Sequence, residues 1–384
     1  MSDTYRERFH AIAARTRAWA CYDCGKCSAT CPVTRMGGSL SPRRTVLSTN
    51  LLHVDTAIHA ADLASCLTCR ACDRRCPVQV DTTALVRELR TISHEEGTQP
   101  DCPHGGALQS VMRMMARGTL QQHRLGWLDP GLRTEASHGS VFLWTGCTVY
   151  YDAFFSEYGM RTLDGTRAAV RLLNAVGEVP VVSPEEACCG HDLLWNGDRV
   201  AFEALARRNA ALLEESGAGV VVAPCAECAR TLRLDYAPFF TAGSPRVVHL
   251  SEYLAERIAD LPFTRARTGR VTFHDPCRLG RHLEVVDAPR RLLAAVPGVD
   301  VAEMVHHGRD ATCCAGGTWS ACDRVAKKIQ VERLKEARAT GATTLVTACP
   351  KCQIHFRCAQ KDPNLGQDIA IEMRDVAQVL ADAL

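Results

Sequence analysis

Apolar positions follow two different rhythms along this chain. Up to about residue 96 they recur at helical spacing. Tyr5–Trp19 reads as an amphipathic helix, Ser41-Pro42 opens a second through about Leu52, and Asp55 begins a short third. Asp81 caps a fourth that runs to about Glu95. Residues 97–139 show no period; Gly, Pro, His and polar residues scatter through them, which predicts a linker with short helical pieces. From residue 140 onward, short β-branched runs alternate with amphipathic stretches, and they do so twice. The first pass predicts strands at Val141–Trp144, Val179–Val182 and Val220–Ala223, with helices at Thr166–Val176 and Asp198–Ser216. The second predicts strands at Val271–Phe273, Asp300–Met304 and Thr344–Thr347, with helices at Ala288–Val296 and Ala321–Thr340. The expected fold class is therefore α+β: a helical N-terminal domain over residues 1–96, a linker over 97–139, and two duplicated α/β domains over 140–262 and 263–384.

Composition narrows the classes of function. The chain has 384 residues, long enough for several domains with real cores. At 46% hydrophobic and 23% charged it is an ordinary globular sequence, and a net charge of +2 gives no reason to expect nucleic acid. No apolar run approaches the roughly 18 residues of a membrane helix, and the first twenty residues lack the apolar block of a secretory signal. These features predict a soluble, cytoplasmic protein.

The 21 cysteines change that plain picture. Disulfide scaffolds are short and secreted, so thiols at this density in a reducing compartment read as metal ligands. Cys21, Cys24, Cys27 and Cys31-Pro32 form one C-x2-C-x2-C-x3-C-P run; Cys66, Cys69, Cys72 and Cys76-Pro77 form another. This is the bacterial ferredoxin pattern, in which the fourth cysteine of each run serves the other cluster. It assigns Cys21, Cys24, Cys27 and Cys76 to one cubane [4Fe–4S] centre, and Cys66, Cys69, Cys72 and Cys31 to its neighbour. Zinc sites close instead with four ligands, usually in paired C-x2-C or C/H sets. The insertion of about 34 residues between the runs makes the module resemble the helical ferredoxin domain of succinate dehydrogenase iron–sulfur subunits.

The α/β repeat carries its own cysteines. Cys147, Cys188-Cys189 and Cys225-Ala-Glu-Cys228 recur as Cys277, Cys313-Cys314 and Cys349-Pro-Lys-Cys352. The separations are 130 positions at the lone cysteine, 125 at the pair and 124 at the C-x2-C, which implies one ancestral unit repeated. All fall just beyond predicted strands, where α/β folds place their sites.

With these motifs the chain resembles the catalytic subunits of heterodisulfide reductases, the small ferredoxin subunit fused ahead of a large subunit with two cysteine-rich (CCG) domains. The residues that carry the resemblance are the two ferredoxin runs, Cys188-Cys189-Gly190-His191, Pro224-Cys225-Ala-Glu-Cys228, His274-Asp275-Pro276-Cys277-Arg278-Leu279-Gly280-Arg281-His282 and Cys349-Pro350-Lys351-Cys352. It spans about Cys21 to Cys358. It implies that Cys147, Cys188, Cys189, Cys225 and Cys228 hold one noncubane [4Fe–4S] cluster, and Cys277, Cys313, Cys314, Cys349 and Cys352 another. The two would face each other and reduce a disulfide such as the coenzyme M–coenzyme B heterodisulfide. The ten cysteines are in that sense the catalytic set. It also implies a larger complex, with a flavin-containing donor subunit or a membrane cytochrome b as electron source and membrane contact only through that partner. Iron–sulfur subunits of anaerobic glycerol-3-phosphate dehydrogenase and of glycolate oxidase share this architecture. They supply the alternative: a non-catalytic subunit linking a flavoprotein dehydrogenase to quinone or another carrier. No nucleotide-binding motif is evident, which leaves flavin and nicotinamide to a partner.

One position departs from the family pattern: Ala315 follows Cys314 where Gly190 follows Cys189. Alanine is the smallest replacement, and the expectation is an intact site with a shifted loop. Cys322 and Cys358 lie nearby as candidate exchangeable ligands but read more simply as buried helix thiols that pack as small hydrophobes, and Cys102, in the linker, reads as an isolated thiol. His191, His274, Arg278, Arg281, His282, Lys351 and His355 flank the cysteines. Their plainest reading is hydrogen bonding around the sites, with tuning of the clusters or proton donation as the sharper one.

Overall fold

The computed structural model describes residues 3–59, 61–98, 102–266, 269–320, 322–365 and 367–384. The chain divides into two compact units. The first takes Met1–Arg113, His191–Phe202 and Ala315–Ile329; the second takes Met114–Gly190, Glu203–Cys314 and Gln330–Leu384.

Helices build the first unit. Asp3–Arg15, Pro42–Asn50 and Thr82–Glu95 bury a common core that includes Phe9, Ile12, Val46, Leu85, Leu89 and Ile92. Each such side chain contributes about 1.5–3 kcal/mol on leaving water. Ser41 accepts a hydrogen bond from the Arg44 amide, with Pro42 at the first helical position, and Asp81 accepts from the Ala84 amide. Both caps stand where the sequence predicts them. The first helix ends at Arg15 rather than Trp19, because Arg17 turns left-handed (φ 58°) and a 3-10 turn, Ala18–Ala20, delivers the chain to Cys21. The 97–139 segment holds a short turn at Pro103–Gly106 and a helix at Ala107–Ala116; residues 99–101 lie outside the described residues. Gly197 (φ 92°) abuts the 82–95 helix so closely that a Cβ would fall 2.2 Å from the Arg90 carbonyl oxygen.

The second unit is a pair of similar α/β layers. Strands β1 (Val141–Leu143), β2 (Val220–Ala223) and β3 (Arg246–His249) form a parallel sheet in the order β1-β2-β3. Strands β4 (Gly269–His274), β5 (Val299–Val301), β6 (Thr344–Thr347) and β7 (Glu372–Asp375) form another, all parallel, in the order β5-β4-β6-β7. The predicted strand at 179–182 survives only as bridges from Val181 to Phe142 and Glu135, in the place that β5 takes in the other sheet. The helix expected from Ala321 begins at Arg324, with Ala321 outside the described residues. The helix expected from Thr166 begins at Thr162.

Two strands were not anticipated, β3 and β7. Each follows the helix after a C-x2-C and enters a short helix through a capping box, His249 with Glu252 and Asp375 with Gln378. The repeat thus extends beyond its cysteines. The terminal helix of each copy packs on the other copy: Val376–Ala381 on Thr162–Ala175, and Leu250–Ala255 on Asp287–Ala295.

Candidate metal centres

The first unit sorts its eight motif cysteines into two groups. Cys21, Cys24, Cys27 and Cys76 line one cavity; Cys31, Cys66, Cys69 and Cys72 line another. The loops that do this are copies of each other. Asp23 and Thr68 both turn left-handed, as do Gly25 and Arg70, and short helices follow at Lys26–Thr30 and Ala71–Arg75. Three non-glycine residues held at positive φ cost on the order of 1 kcal/mol or more each. The turns aim backbone amides at sulfur: Asp23 N to Cys21 Sγ at 3.4 Å, Thr68 N to Cys66 Sγ at 3.4 Å and Val80 N to Cys76 Sγ at 3.3 Å.

Burial pushes the Cys66 thiol up to about 12, an effect the nearby Arg90 guanidinium partly offsets. Burial also raises Cys27, Cys31 and Cys72, the last helped by Asp73. Thiols this reluctant to ionise in isolation become ligands only when a cation compensates their charge. An all-sulfur fourfold donor set with amides aimed at sulfur suits an iron–sulfur cluster.

Arg90, which the sequence reading missed, organises the second group. It is 5% exposed and donates to the carbonyls of Leu63, Ala64, Cys66 and Trp195. One guanidinium thus satisfies four backbone acceptors, one of them on a motif cysteine.

In the second unit the ten CCG cysteines pair identically in the two copies. The lone cysteine meets the first of the pair: Cys147 Sγ lies 2.8 Å from Cys188 Sγ, and Cys277 stands within hydrogen-bond reach of Cys313. The second of the pair meets the second of the C-x2-C: Cys189 beside Cys228, and Cys314 Sγ 3.2 Å from Cys352 Sγ. Cys225 and Cys349 begin the helices Ala226–Asp235 and Pro350–Gln360, and they stand beside each other across the two copies. Hydrogen bonding within this set lowers the Cys225 thiol and raises Cys349, so one thiol supports the other's thiolate. Further contacts join the copies here. His249 Nε2 lies 3.2 Å from the carbonyls of both Pro224 and Ala348, each just before a C-x2-C, and burial lowers this imidazole to about 4, so it is neutral. Within the two C-x2-C motifs, Lys351 Nζ reaches Glu227 Oε2 at 2.7 Å.

Each copy also pins the loop of its lone cysteine with a buried ion pair. In the first, Arg124 binds Glu186, Thr145 Oγ1 and the Gly146 carbonyl, while Glu186 accepts from the Thr145 and Gly146 amides. In the second, Arg290 grips Asp275 at 2.7 and 2.9 Å, and Asp275 accepts from the Gly308 amide. Gly146 (φ 60°) leaves room that the site uses: a Cβ there would stand 2.9 Å from Cys228 Sγ. Donor chemistry, burial and this cradle all fit an iron–sulfur group.

Ala315 takes the left-handed turn (φ 59°) that Gly190 makes in the first copy (φ 76°), at a local conformational cost. The loops then differ as expected: Gly190 leads directly into the helix His191–Trp195, whereas residues 317–320 form turns and bends. The flanking polar residues mostly take structural partners. Arg278 contacts His282 at 2.6 Å, Arg281 donates to the Ala311 carbonyl, His191 meets Asp192, and His355 meets Gln330. Cys102, Cys322 and Cys358 join none of the pairings described above. Among the described residues no helix is long and apolar enough to cross a membrane.

Comparison with known proteins finds two kinds of domain in the chain. The 4Fe-4S dicluster domain matches residues 13–80, and the cysteine-rich CCG domain matches 141–233 and again 271–357. The chain is 29% identical to a dihydromethanophenazine:CoB–CoM heterodisulfide reductase subunit of Methanosarcina mazei, over 95% of this chain and 93% of that one. It is also 29% identical to a "Probable membrane-anchored ferredoxin" of Chromohalobacter salexigens, covering 95% of this chain and 59% of the relative. A crystal structure of a hypothetical protein from Helicobacter pylori shares the fold at a TM-score of 0.57 and 10% identity, covering all of this chain and 73% of that one.

Proposed function

Because the chain belongs to the heterodisulfide reductase catalytic-subunit family, with a dicluster ferredoxin domain fused ahead of two CCG domains, we propose that it reduces a disulfide with electrons relayed through its own clusters. In this reading Cys21, Cys24, Cys27 and Cys76 hold one cubane, and Cys31, Cys66, Cys69 and Cys72 the other. The five-cysteine sets around Cys147 and Cys277 hold two noncubane [4Fe–4S] clusters, which supply electrons singly and an iron able to take a thiolate. The overall step balances as one disulfide, two electrons and two protons giving two thiols. The observation that carries the reading is the identical cysteine pairing in both copies, with Cys225 and Cys349 adjoining. A two-electron cleavage calls for two complete sites close together, whereas a relay would need only one.

The chain's own residues fix and insulate these sites. Arg124–Glu186 and Arg290–Asp275 hold the lone-cysteine loops, and the two C-x2-C helices direct their N-termini at the sulfurs. Burial of Cys188, Cys189, Cys225, Cys228, Cys313, Cys314, Cys349 and Cys352 keeps water from the thiolates. Electrons enter from a flavoprotein or cytochrome b partner, and the chain acts in the cytoplasm, meeting a membrane only through that partner. The second reading, an electron carrier without disulfide chemistry, draws on the likeness to the ferredoxin of Chromohalobacter salexigens. Iron counting with Mössbauer and EPR spectroscopy of anaerobically purified protein separates the two. About sixteen irons per chain with an EPR signal that responds to added thiol supports disulfide reduction; about eight, all in cubanes, refutes it.

A further inference from the structure

We propose that each five-cysteine site contains its own ring N–H donor to cluster sulfur, set three residues before the lone cysteine: Trp144 in the first copy and His274 in the second. This rests on the assignment of clusters to those sites. Both side chains are wholly buried, and they occupy the same place in the repeat: Trp144 directly follows β1, and His274 is the last residue of β4.

The histidine is fixed in one tautomer. Arg333 Nε donates to His274 Nδ1 at 3.1 Å, which makes Nδ1 the acceptor and leaves the ring proton on Nε2. Arg333 is itself held by the His306 carbonyl at 2.7 Å and by Glu336 at 2.6 Å. Phe356 packs edge-on against the imidazole at 4.9 Å and sets its plane. The protonated Nε2 is buried, and the imidazole stands within hydrogen-bond reach of the Cys314 thiol, in a cluster where one nitrogen and the sulfurs of Cys314 and Cys352 are within 4.8 Å of one another.

Trp144 Nε1 is likewise buried, and it has no hydrogen-bond partner. It faces the space beside Gly146, 3.5 Å from where a Cβ would stand, and Cys228 Sγ borders the same space. A buried N–H needs an acceptor, and in both copies the neighbouring acceptors are motif sulfurs. Hydrogen bonds to cluster sulfur stabilise the more negative, reduced state and raise the reduction potential. The two donors are therefore positioning and tuning groups rather than ligands, and His274 is additionally backed by a cation.

The test is an EPR-monitored redox titration of the full chain, with proton and nitrogen ENDOR, comparing wild type with His274→Phe, His274→Gln and Trp144→Phe. Each phenylalanine variant is expected to lower the midpoint potential of one five-cysteine signal and to abolish one exchangeable proton coupling. The ferredoxin signals stay unchanged, and His274→Gln recovers part of the shift through its amide N–H. Arg333→Met leaves the ring in place but frees its tautomer, and should weaken the same coupling even if His274→Phe loses iron. Unmoved potentials and couplings in iron-replete variants overturn the proposal, as does a strong nitrogen coupling that marks His274 as an iron ligand. Wild-type protein with no five-cysteine signals would instead refute the cluster assignment beneath it.

Discussion

Replacing Arg90 by leucine should loosen one ferredoxin site selectively. The guanidinium satisfies the carbonyls of Leu63, Ala64, Cys66 and Trp195, and leucine would leave all four without this donor. At about 1 kcal/mol for each buried acceptor the loss is about 4 kcal/mol, a large share of a domain's usual 5–15 kcal/mol. A second effect has the same sign. Arg90 holds down a Cys66 thiol that burial drives up, so its removal makes that thiolate a costlier ligand. Local opening should rise by about a thousandfold, since each 1.4 kcal/mol is tenfold. Because iron loss is irreversible, the assay is a rate: anaerobic bleaching by an iron chelator, followed optically and by EPR. Arg90→Leu should bleach at least about tenfold faster than wild type, with the Cys31, Cys66, Cys69 and Cys72 site lost first and Arg90→Lys intermediate. Unchanged bleaching, or earlier loss of the Cys21, Cys24, Cys27 and Cys76 site, would refute the reasoning.

Two other substitutions test the second unit. Burial raises the Asp375 carboxyl to about 7, so between roughly pH 4 and 7 the folded state keeps a proton that the unfolded chain has released. Stability therefore falls as pH rises through that window, by about 4 kcal/mol in all at 1.36 kcal/mol per unit. Asp375→Asn, which keeps the cap on the Ala377 amide, should match wild type near pH 4 and exceed it at pH 8; equal pH slopes in thermal scans would count against this. Gly146→Ala forces a Cβ to 2.9 Å from Cys228 Sγ at a left-handed φ. It should cost the first five-cysteine site about four irons per chain and spare the ferredoxin iron, and a full iron content would contradict the proposed ligand set.

What was legible in the sequence, and what was not, follows from how each signal is written. Cysteine spacing and β-branched runs are local, so the repeat, its strands before the lone cysteines and the capped helices at Ser41 and Asp81 could be read directly. β3 and β7 are short, and Arg246, Glu372 and Arg374 interrupt their apolar pattern; only parallel pairing with β2 and β6 makes them strands. Arg124 sits in an aperiodic stretch, and nothing local marks it as the buried partner of Glu186, 62 residues away. Arg90 did leave a trace. It lies four residues after Val86 and beside Leu89, on the apolar stripe of the 82–95 helix, where a charge must find partners. The left-handed turn at Ala315 was legible only through its counterpart Gly190, since the sequence states the conformational need but not who bears it.

The contact between Glu227 and Lys351 has a bearing on how such a molecule can evolve. The two residues hold the same place in the two copies, yet one is an acid and the other a base, and both are largely buried. Two identical first halves assembled in this arrangement would set acid against acid, and two second halves base against base. Removing either partner strands a buried charge, at a cost of about 3–5 kcal/mol. Once the copies had diverged at this position, neither could replace the other or return to a symmetric dimer. What began as a repetition has become a lock and its key, kept on one chain.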